Sequence, residues 1–484
     1  MKTIKDLLFG CRILQVVGST DGQVAGVHYD SREIKEGFLF VAIPGTQVDG
    51  HDFIEKAISL GARAVVCEQL PQALHERVTY IQTKDSAFAL SAIAAHWYNH
   101  PSQQLKVVGV TGTNGKTSIA TLLYQLFTSA QGACAGLLST IKVVVGSEEQ
   151  EATHTTPDAL SIQKHLRTMV DAGLDYCFME VSSHALVQHR VSHVHFDLAI
   201  FTNISRDHLD YHGDMNSYIK AKKMLFDQLD EGAVALTNDD HKHGSSMVAD
   251  TKAKVRTYAL KFPADYKVKI LERQLDGMLL TFNDKECWTR VLGTFNAYNL
   301  CAVYGAAVEL GMEELDVLVG MSQLEPATGR FQTLTGNGIV AVVDYAHTPD
   351  ALENVLQTLQ ELNEGAHQII TVVGAGGNRD QGKRPQMAEV AVRKSDKVIL
   401  TSDNPRFEDP AVILAQMEEG VPVESKMRVL TIVDRAQAIR TALMLAQDGD
   451  FVLIAGKGHE TYQDIQGTKH HFSDVEQVQQ FFNS

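Results

Sequence analysis

Residues 105–117 read Leu-Lys-Val-Val-Gly-Val-Thr-Gly-Thr-Asn-Gly-Lys-Thr, an apolar run that enters a glycine-rich loop and ends in a lysine and a hydroxyl. Beyond it Ile119, Leu122, Leu123, Leu126 and Phe127 recur at helical spacing, so the loop opens a helix. A helix start offers free amides and a partial positive charge, which makes this strand, loop and helix a nucleoside-triphosphate site. Backbone N–H groups of Gly112, Thr113, Asn114 and Gly115 are expected around the phosphates. Lys116 is the point charge on the β and γ oxygens, Thr117 a magnesium ligand, and Ser118 lies beside them in the first turn. The spacing departs from the standard pattern. Counting back from Gly115-Lys116-Thr117, the first glycine belongs at Val110, and Gly109 comes one residue early. The plain alternative, a glycine turn between a strand and a helix, leaves Lys116 and Thr117 unexplained.

At 484 residues the chain exceeds one hydrophobic core, and about 150 residues per domain predicts about three domains. With 44% hydrophobic and 21% charged residues it has an ordinary globular composition. A net charge of -16 argues against general nucleic-acid binding, which needs a basic surface. Met1-Lys2-Thr3-Ile4-Lys5-Asp6 leads into no apolar signal core, and no uninterrupted apolar stretch reaches bilayer length, so no membrane partner is expected. Cys11, Cys67, Cys134, Cys177, Cys287 and Cys301 form no Cys-x-x-Cys pair and read as small buried hydrophobes in a reducing compartment, the cytoplasm.

Strand and helix patterns alternate in three blocks, which predicts an α/β fold of mostly parallel sheets covered on both faces. The first holds the apolar run Phe38–Ile43 and closes at Asn99-His100-Pro101-Ser102. The second starts with the phosphate loop, holds strands around 176–181, 196–202 and 233–237, and ends at Glu325-Pro326-Ala327-Thr328-Gly329-Arg330. The third alternates from 339 to 455. The expected domains are 1–102, 103–331 and 332–484, with loops that carry function at the carboxyl ends of the strands.

Polar residues gather at those ends. One strand runs into Glu180-Val181-Ser182-Ser183-His184, and the next into Thr202-Asn203-Ile204-Ser205-Arg206-Asp207-His208-Leu209-Asp210. Glu180 and His208, beside Thr117, could complete a divalent-metal site; Asp207 and Asp210 could equally cap the following helix. In that helix Lys220, Lys222 and Lys223 would normally form a solvated face. Lys222, however, stands four residues after Tyr218 and four before Phe226, on the apolar side. A buried ammonium needs a partner or a change of charge.

Thr111-Gly112-Thr113-Asn114-Gly115-Lys116-Thr117, Glu180–His184, Arg206–Asp210, Tyr218–Phe226 and Asp344-Tyr345-Ala346-His347-Thr348-Pro349 together resemble the Mur ligases, ATP-dependent amino-acid ligases of peptidoglycan precursor synthesis. The resemblance covers all three blocks and includes the off-register glycine. It implies an N-terminal UDP-binding α/β domain, a central ATPase domain of the P-loop type and a C-terminal Rossmann-like domain. Within the family the chain most resembles the branch that extends UDP-N-acetylmuramoyl-L-alanyl-D-glutamate by its third residue. Carried over, Ser31, Thr46, Gln47 and Val48 contact the UDP end, and Thr155, Thr156, Ser182, Gln188 and Arg190 hold the muramoyl dipeptide. Lys222 is carbamylated and joins Thr117, Glu180 and His208 on Mg2+, with Lys116, Lys222, Glu180 and His208 as the catalytic set. Asn299, Arg330 and Asp344 secure ATP. His154 and Asn378 depart from the asparagine and aspartate common at those places.

The third substrate follows from Asp403-Asn404-Pro405-Arg406. Meso-diaminopimelate differs from lysine by a second, distal carboxylate, whose recognition calls for a planar charged donor fork. The segment resembles the signature of the diaminopimelate-adding branch, with Arg379, Gly456 and Glu460 as further amino-acid contacts. The plain alternative is that Arg406 pairs with Glu408 or Asp409 in a surface turn. Three other functions stay open: a lysine-adding ligase, a folylpolyglutamate-synthetase-like ligase, and a nucleotide-switched interaction protein without covalent chemistry. A monomer is expected.

Overall fold

The computed structural model describes every residue except 46, 47, 131, 133, 153 and 364, and the backbone only of Ala130. Its central sheet has eleven strands and is built on Lys106–Thr111. That strand is apolar at successive positions because both its faces are covered: Val108 and Val110 pack into one core cluster with Ile119, Leu123 and Phe127, while Val107 packs into another with Leu166, Leu225 and Phe226. Tyr176–Glu180 and Leu198–Phe201 flank it in parallel, followed by Val234–Asn238 and Lys254–Ala259. Both strand ends named in the sequence therefore lie beside the phosphate loop.

The sheet departs from the expected parallel order at its edges. Tyr266–Gln274, Gly277–Phe282 and Lys285–Thr289 form an antiparallel meander, and Lys142–Val145 with Glu148–Glu151 a hairpin on the other side. Charged residues interrupt Tyr266–Gln274, Lys285–Thr289 and Glu148–Glu151, so these strands lack the continuous apolar runs that mark the buried ones.

An N-terminal five-stranded sheet runs in the order Ile13–Val17, Thr79–Thr83, Ala64–Cys67, Phe38–Val41, Gly26–His28, parallel except for its first pair. The C-terminal six-stranded sheet runs Gln332–Gly336, Ile339–Asp344, Phe451–Ala455, Ile369–Ala375, Lys397–Ser402, Val429–Thr431, and only Gln332–Gly336 is antiparallel. The hairpin Tyr462–Ile465 with Thr468–His471 folds back against the loop after Lys397–Ser402, where Arg406 pairs with Ile465. The result is an α/β molecule of several mostly parallel sheets. Among the described residues no helix is long and apolar enough to cross a membrane.

Candidate active site

The loop after Lys106–Thr111 turns sharply at Gly112, whose φ is +153°; a Cβ there would lie 1.8 Å from Thr202 Oγ1, so no other residue fits. Thr113 N donates to Asn203 O and Asn114 N to Asn203 Oδ1, both at 2.9 Å. The cradle expected from Gly112 to Gly115 is thereby narrowed, since two of its four amides already have acceptors. The first-turn amides of the helix Lys116–Ala130 have no intrahelical partner and are the better phosphate donors. Lys116 Nζ lies back over the loop, donating to Gly112 O and Thr113 O at 2.8 Å each.

Thr117 Oγ1 donates to Glu180 Oε2 at 3.0 Å, and the other oxygen of Glu180 accepts from Thr140 N at 2.7 Å. Arg330, from the start of the C-terminal third, donates to Thr117 Oγ1 at 3.1 Å. On the helix Met215–Asp227, Lys223 pairs with Asp227 and with Asp250 at the surface, while Lys222 is 1% exposed and lies 4.6 Å over the Tyr218 ring. Its Nζ donates to Gly112 O at 2.8 Å, the same carbonyl that Lys116 uses. Burial and the Lys116 charge push the Lys222 pKa far below the usual lysine value, against the pull of Asp207. These surroundings favour the uncharged amine.

The helix is capped by Asp214, whose carboxylate accepts from Asn216 N and Ser217 N, so neither Asp207 nor Asp210 caps it. Asp207 is instead buried at the centre of the site. Burial opposes its ionisation, but His208, His347, Lys383 and Lys116 outweigh that and keep it a carboxylate. His208 is pushed down by burial, which leaves a neutral imidazole able to act as a ligand. Among the described residues no three His, Cys, Asp or Glu side chains converge as a metal cage. The oxygens of Thr117 and Glu180 with the His208 ring suit Mg2+ provided one more anionic oxygen is supplied nearby.

A cavity of about 350 Å³ opens from the phosphate loop between the central and C-terminal sheets, with Gly115, Ser118, Asn299, Arg330 and Asp344 in its wall. Asn299 is fixed by a 2.8 Å bond to Asn296 Oδ1, and Arg330 stacks 4.5 Å over Tyr345. Asp344 accepts from Phe331 N at 2.6 Å; burial raises its pKa although Arg330 opposes this. Two further contacts bridge the same gap: Asn114 Nδ2 to Asp350 at 2.9 Å, and Arg206 to Asp380 at 3.1 Å.

A second cavity, about 870 Å³, lies between the N-terminal and central sheets, and Ser31, Val48, Gln188 and Arg190 line it. Thr46 and Gln47 lie outside the described residues. Arg190 Nε and Nη2 both donate to Gln188 Oε1, and its Nη1 donates to Thr156 O at 2.7 Å. Thr156 Oγ1 donates to Glu180 O and accepts from Ser182 N, while Thr155 accepts from Thr140. This chain of bonds carries the cavity's polar wall to the end of the Glu180 strand. His154 lies where the charges of Arg190 and Asp158 act on it.

In the C-terminal sheet Asp403 and Asn404 are buried at the end of Lys397–Ser402. Asn404 Nδ2 donates to Glu460 at 2.8 Å, and Lys457 Nζ reaches both Asn404 Oδ1 at 3.0 Å and Glu460 at 2.9 Å. Gly456 has φ +119°, and a Cβ there would lie 2.6 Å from Asp403 Oδ2. Pro405 leads directly to Arg406, whose Nη1 donates to Gly377 O at 2.8 Å; it pairs with neither Glu408 nor Asp409. Arg379 is exposed on the facing loop, and its charge acts on His184 across the cleft.

The structure also places Asn203, His347 and Lys383 at the centre, none of which the sequence reading singled out. His347 and Asn203 each stood inside a quoted stretch without a role of their own. Lys383 is the first residue of the helix Lys383–Lys394, buried although charged, with Asp207, Asp403 and Asp380 acting on it.

Residues 110–307 match the family model described as Mur ligase middle domain, residues 329–458 the Mur ligase glutamate ligase domain, and residues 23–98 the Mur ligase family catalytic domain. The UDP-N-acetylmuramoyl-L-alanyl-D-glutamate--2,6-diaminopimelate ligase of Bacteroides fragilis is 50% identical over 481 residues, 99% of each chain. The enzyme of the same name from Clostridioides difficile is 41% identical over 98% of each. A solved structure of a ligase with that name superposes with a TM-score of 0.70 at 33% identity, covering 100% of this chain and 99% of its own. A Mycobacterium tuberculosis folylpolyglutamate synthase shares the fold at 17% identity, with a TM-score of 0.59 over 77% of this chain and 93% of its own. The chain belongs to the Mur ligase family.

Proposed function

We propose that this protein is the ATP-dependent ligase that joins meso-diaminopimelate to UDP-N-acetylmuramoyl-L-alanyl-D-glutamate in cytoplasmic peptidoglycan precursor synthesis. Units 1–102, 103–331 and 332–484 hold the UDP precursor, ATP and the diamino acid in turn; each range encloses one large sheet. The observation that carries the reading is the single gap between the central and C-terminal sheets. Asn114 meets Asp350 there and Arg206 meets Asp380, with Arg330 at the junction of the two units reaching Thr117, so phosphate loop and amino-acid loops face each other.

A carboxylate is a poor acylating agent, so the free glutamyl carboxylate first takes the γ-phosphoryl group of ATP and ADP leaves. Lys116 and the helix-start amides stabilise charge on the transferring group. Lys222, whose surroundings favour the uncharged amine, adds carbon dioxide and releases a proton; the carbamate would supply the missing anionic oxygen beside Thr117, Glu180 and His208. Mg2+ bound by that set would neutralise phosphate charge and fix its geometry. The amine of diaminopimelate then attacks the acyl phosphate, a tetrahedral intermediate expels phosphate, and an amide remains. Arg406 takes the distal carboxylate with its free donors, and Asn404, Glu460 and Arg379 orient the rest of the diamino acid.

The test is a competition. Purified protein given ATP, the UDP precursor and equal diaminopimelate and lysine is expected to yield the diaminopimelate adduct by mass spectrometry. A lysine adduct in equal or greater amount overturns the substrate assignment.

A further inference from the structure

Arg406 holds an unusual position for a charged residue. Its φ is +50°, in the left-handed region that costs a non-glycine residue energy unless its surroundings over-determine it. Two backbone bonds to the terminal hairpin do so: Arg406 N donates to Asp464 O at 2.9 Å, and Gln466 N donates to Arg406 O at 2.8 Å. The side chain uses one N–H on Gly377 O, and among the described residues no carboxylate lies within ion-pair distance of it. Four of its five donors are thus left for a ligand.

Glu408, two residues on, packs beside Gly377, whose carbonyl Arg406 uses, and so lies near those donors, but it is engaged elsewhere. Arg384, which is 0% exposed, donates to both its oxygens, Nη1 at 2.8 Å and Nη2 at 2.9 Å. The same guanidinium holds Gln416 Oε1 at 2.6 Å and Gly376 O at 3.2 Å, so it is anchored from three segments. Glu408 also accepts from Asn378 N, and Asn378 Oδ1 accepts from Phe407 N at 3.1 Å. The glycine loop 376–378 and the Arg406 loop are therefore zipped together by hydrogen bonds around the Arg384–Glu408 ion pair, and Asp409 is occupied in capping the helix Pro410–Glu418.

We propose that Arg384 is a positioning residue for amino-acid selection: by sequestering Glu408 it keeps the Arg406 fork free for the distal carboxylate of the incoming diamino acid. Without it, Glu408 neutralises Arg406 and the ligand loses its counter-charge. This rests on the assignment of diaminopimelate as substrate.

The experiment compares wild type, Arg384→Met and the double variant Arg384→Met/Glu408→Gln, in the full chain with ATP and the UDP precursor. In Arg384→Met, KM for diaminopimelate is expected to rise about tenfold or more, the scale of one charge-assisted hydrogen bond, with a smaller change in kcat. The preference for diaminopimelate over lysine falls with it. The double variant recovers most of the loss, since no carboxylate remains to capture Arg406. A double variant as poor as or poorer than Arg384→Met, with the same preference over lysine, overturns the proposal and leaves Arg384 a structural residue. Equal loss of affinity for ATP, precursor and diaminopimelate overturns it as well. Wild-type protein that fails to ligate diaminopimelate is a different failure, that of the substrate assignment itself.

Discussion

Most buried cations of the C-terminal unit have carboxylate partners, whereas the lysines around the phosphate loop do not. Arg435 and Asp474 are both fully buried and 2.7 Å apart, Lys457 meets Glu460 at 2.9 Å, and Arg384 meets Glu408 at 2.8 Å. In the centre, Lys116 and Lys222 both donate to the single carbonyl of Gly112, and among the described residues neither has a carboxylate at ion-pair distance. An ammonium buried without a counter-ion is costly, so such a lysine either meets an anion that arrives from outside, as Lys116 would, or gives up its charge and is made into one, as Lys222 would. Paired cations hold the C-terminal unit together; unpaired ones mark the path of phosphates and carboxylates. Lys383 and Arg406 are the C-terminal exceptions among the described residues: Lys383 faces Asp207 of the site, and Arg406 lies where a carboxylate-bearing substrate is expected.

The sharpest way to break this contrast is Lys222→Ala. Ligation is expected to fall on the order of 10³-fold, as for loss of a group that organises transition-state charge, and added formate or acetate should restore part of it. Full activity in the alanine variant removes the carbamate. The opposite half is probed by Asp474→Ala, which strands Arg435 and should cost about 3–5 kcal/mol in urea unfolding. Unchanged stability means that this ion pair is ornamental. Arg406→Ala should lower kcat/KM for diaminopimelate about 100-fold and leave that for lysine within about threefold. The smallest effect is expected for Asp380→Asn, since Arg206 is 44% exposed at its side chain. Its loss should change kcat by a few-fold at most, and less at high salt, as measured by steady-state rates at two ionic strengths.

The paired and unpaired cations were not equally legible in the sequence. Lys222 betrayed itself by its place between Tyr218 and Phe226 on an apolar stripe, and Lys116 by its loop. The parallel strands were legible because burial on both faces leaves continuous apolar runs such as Phe451–Ala455. The antiparallel meander Tyr266–Thr289 was not, because Lys269, Glu272 and Arg273 break such a run where one face meets water. Asp207 read equally as a helix cap, although Asp214 has that task, because a carboxylate before a helix looks the same whether it caps or faces a cleft. Lys383 and Arg384 lie in a polar stretch whose burial depends on contacts with residues 207, 403 and 408, far along the chain. The residue roles came from resemblance rather than from spacing, since no local pattern distinguishes a carbamylated lysine from a stranded one.

The central claim is that the unpaired lysines of the phosphate loop serve phosphoryl transfer to a bound carboxylate. ADP release by the full-length protein, followed with ATP alone, with the UDP precursor added, and with diaminopimelate added as well, tests it most directly. Sustained release that requires the precursor and the diamino acid together, matched by an equal amount of ligated product, is the predicted result. ADP formed just as fast from ATP alone would contradict the account.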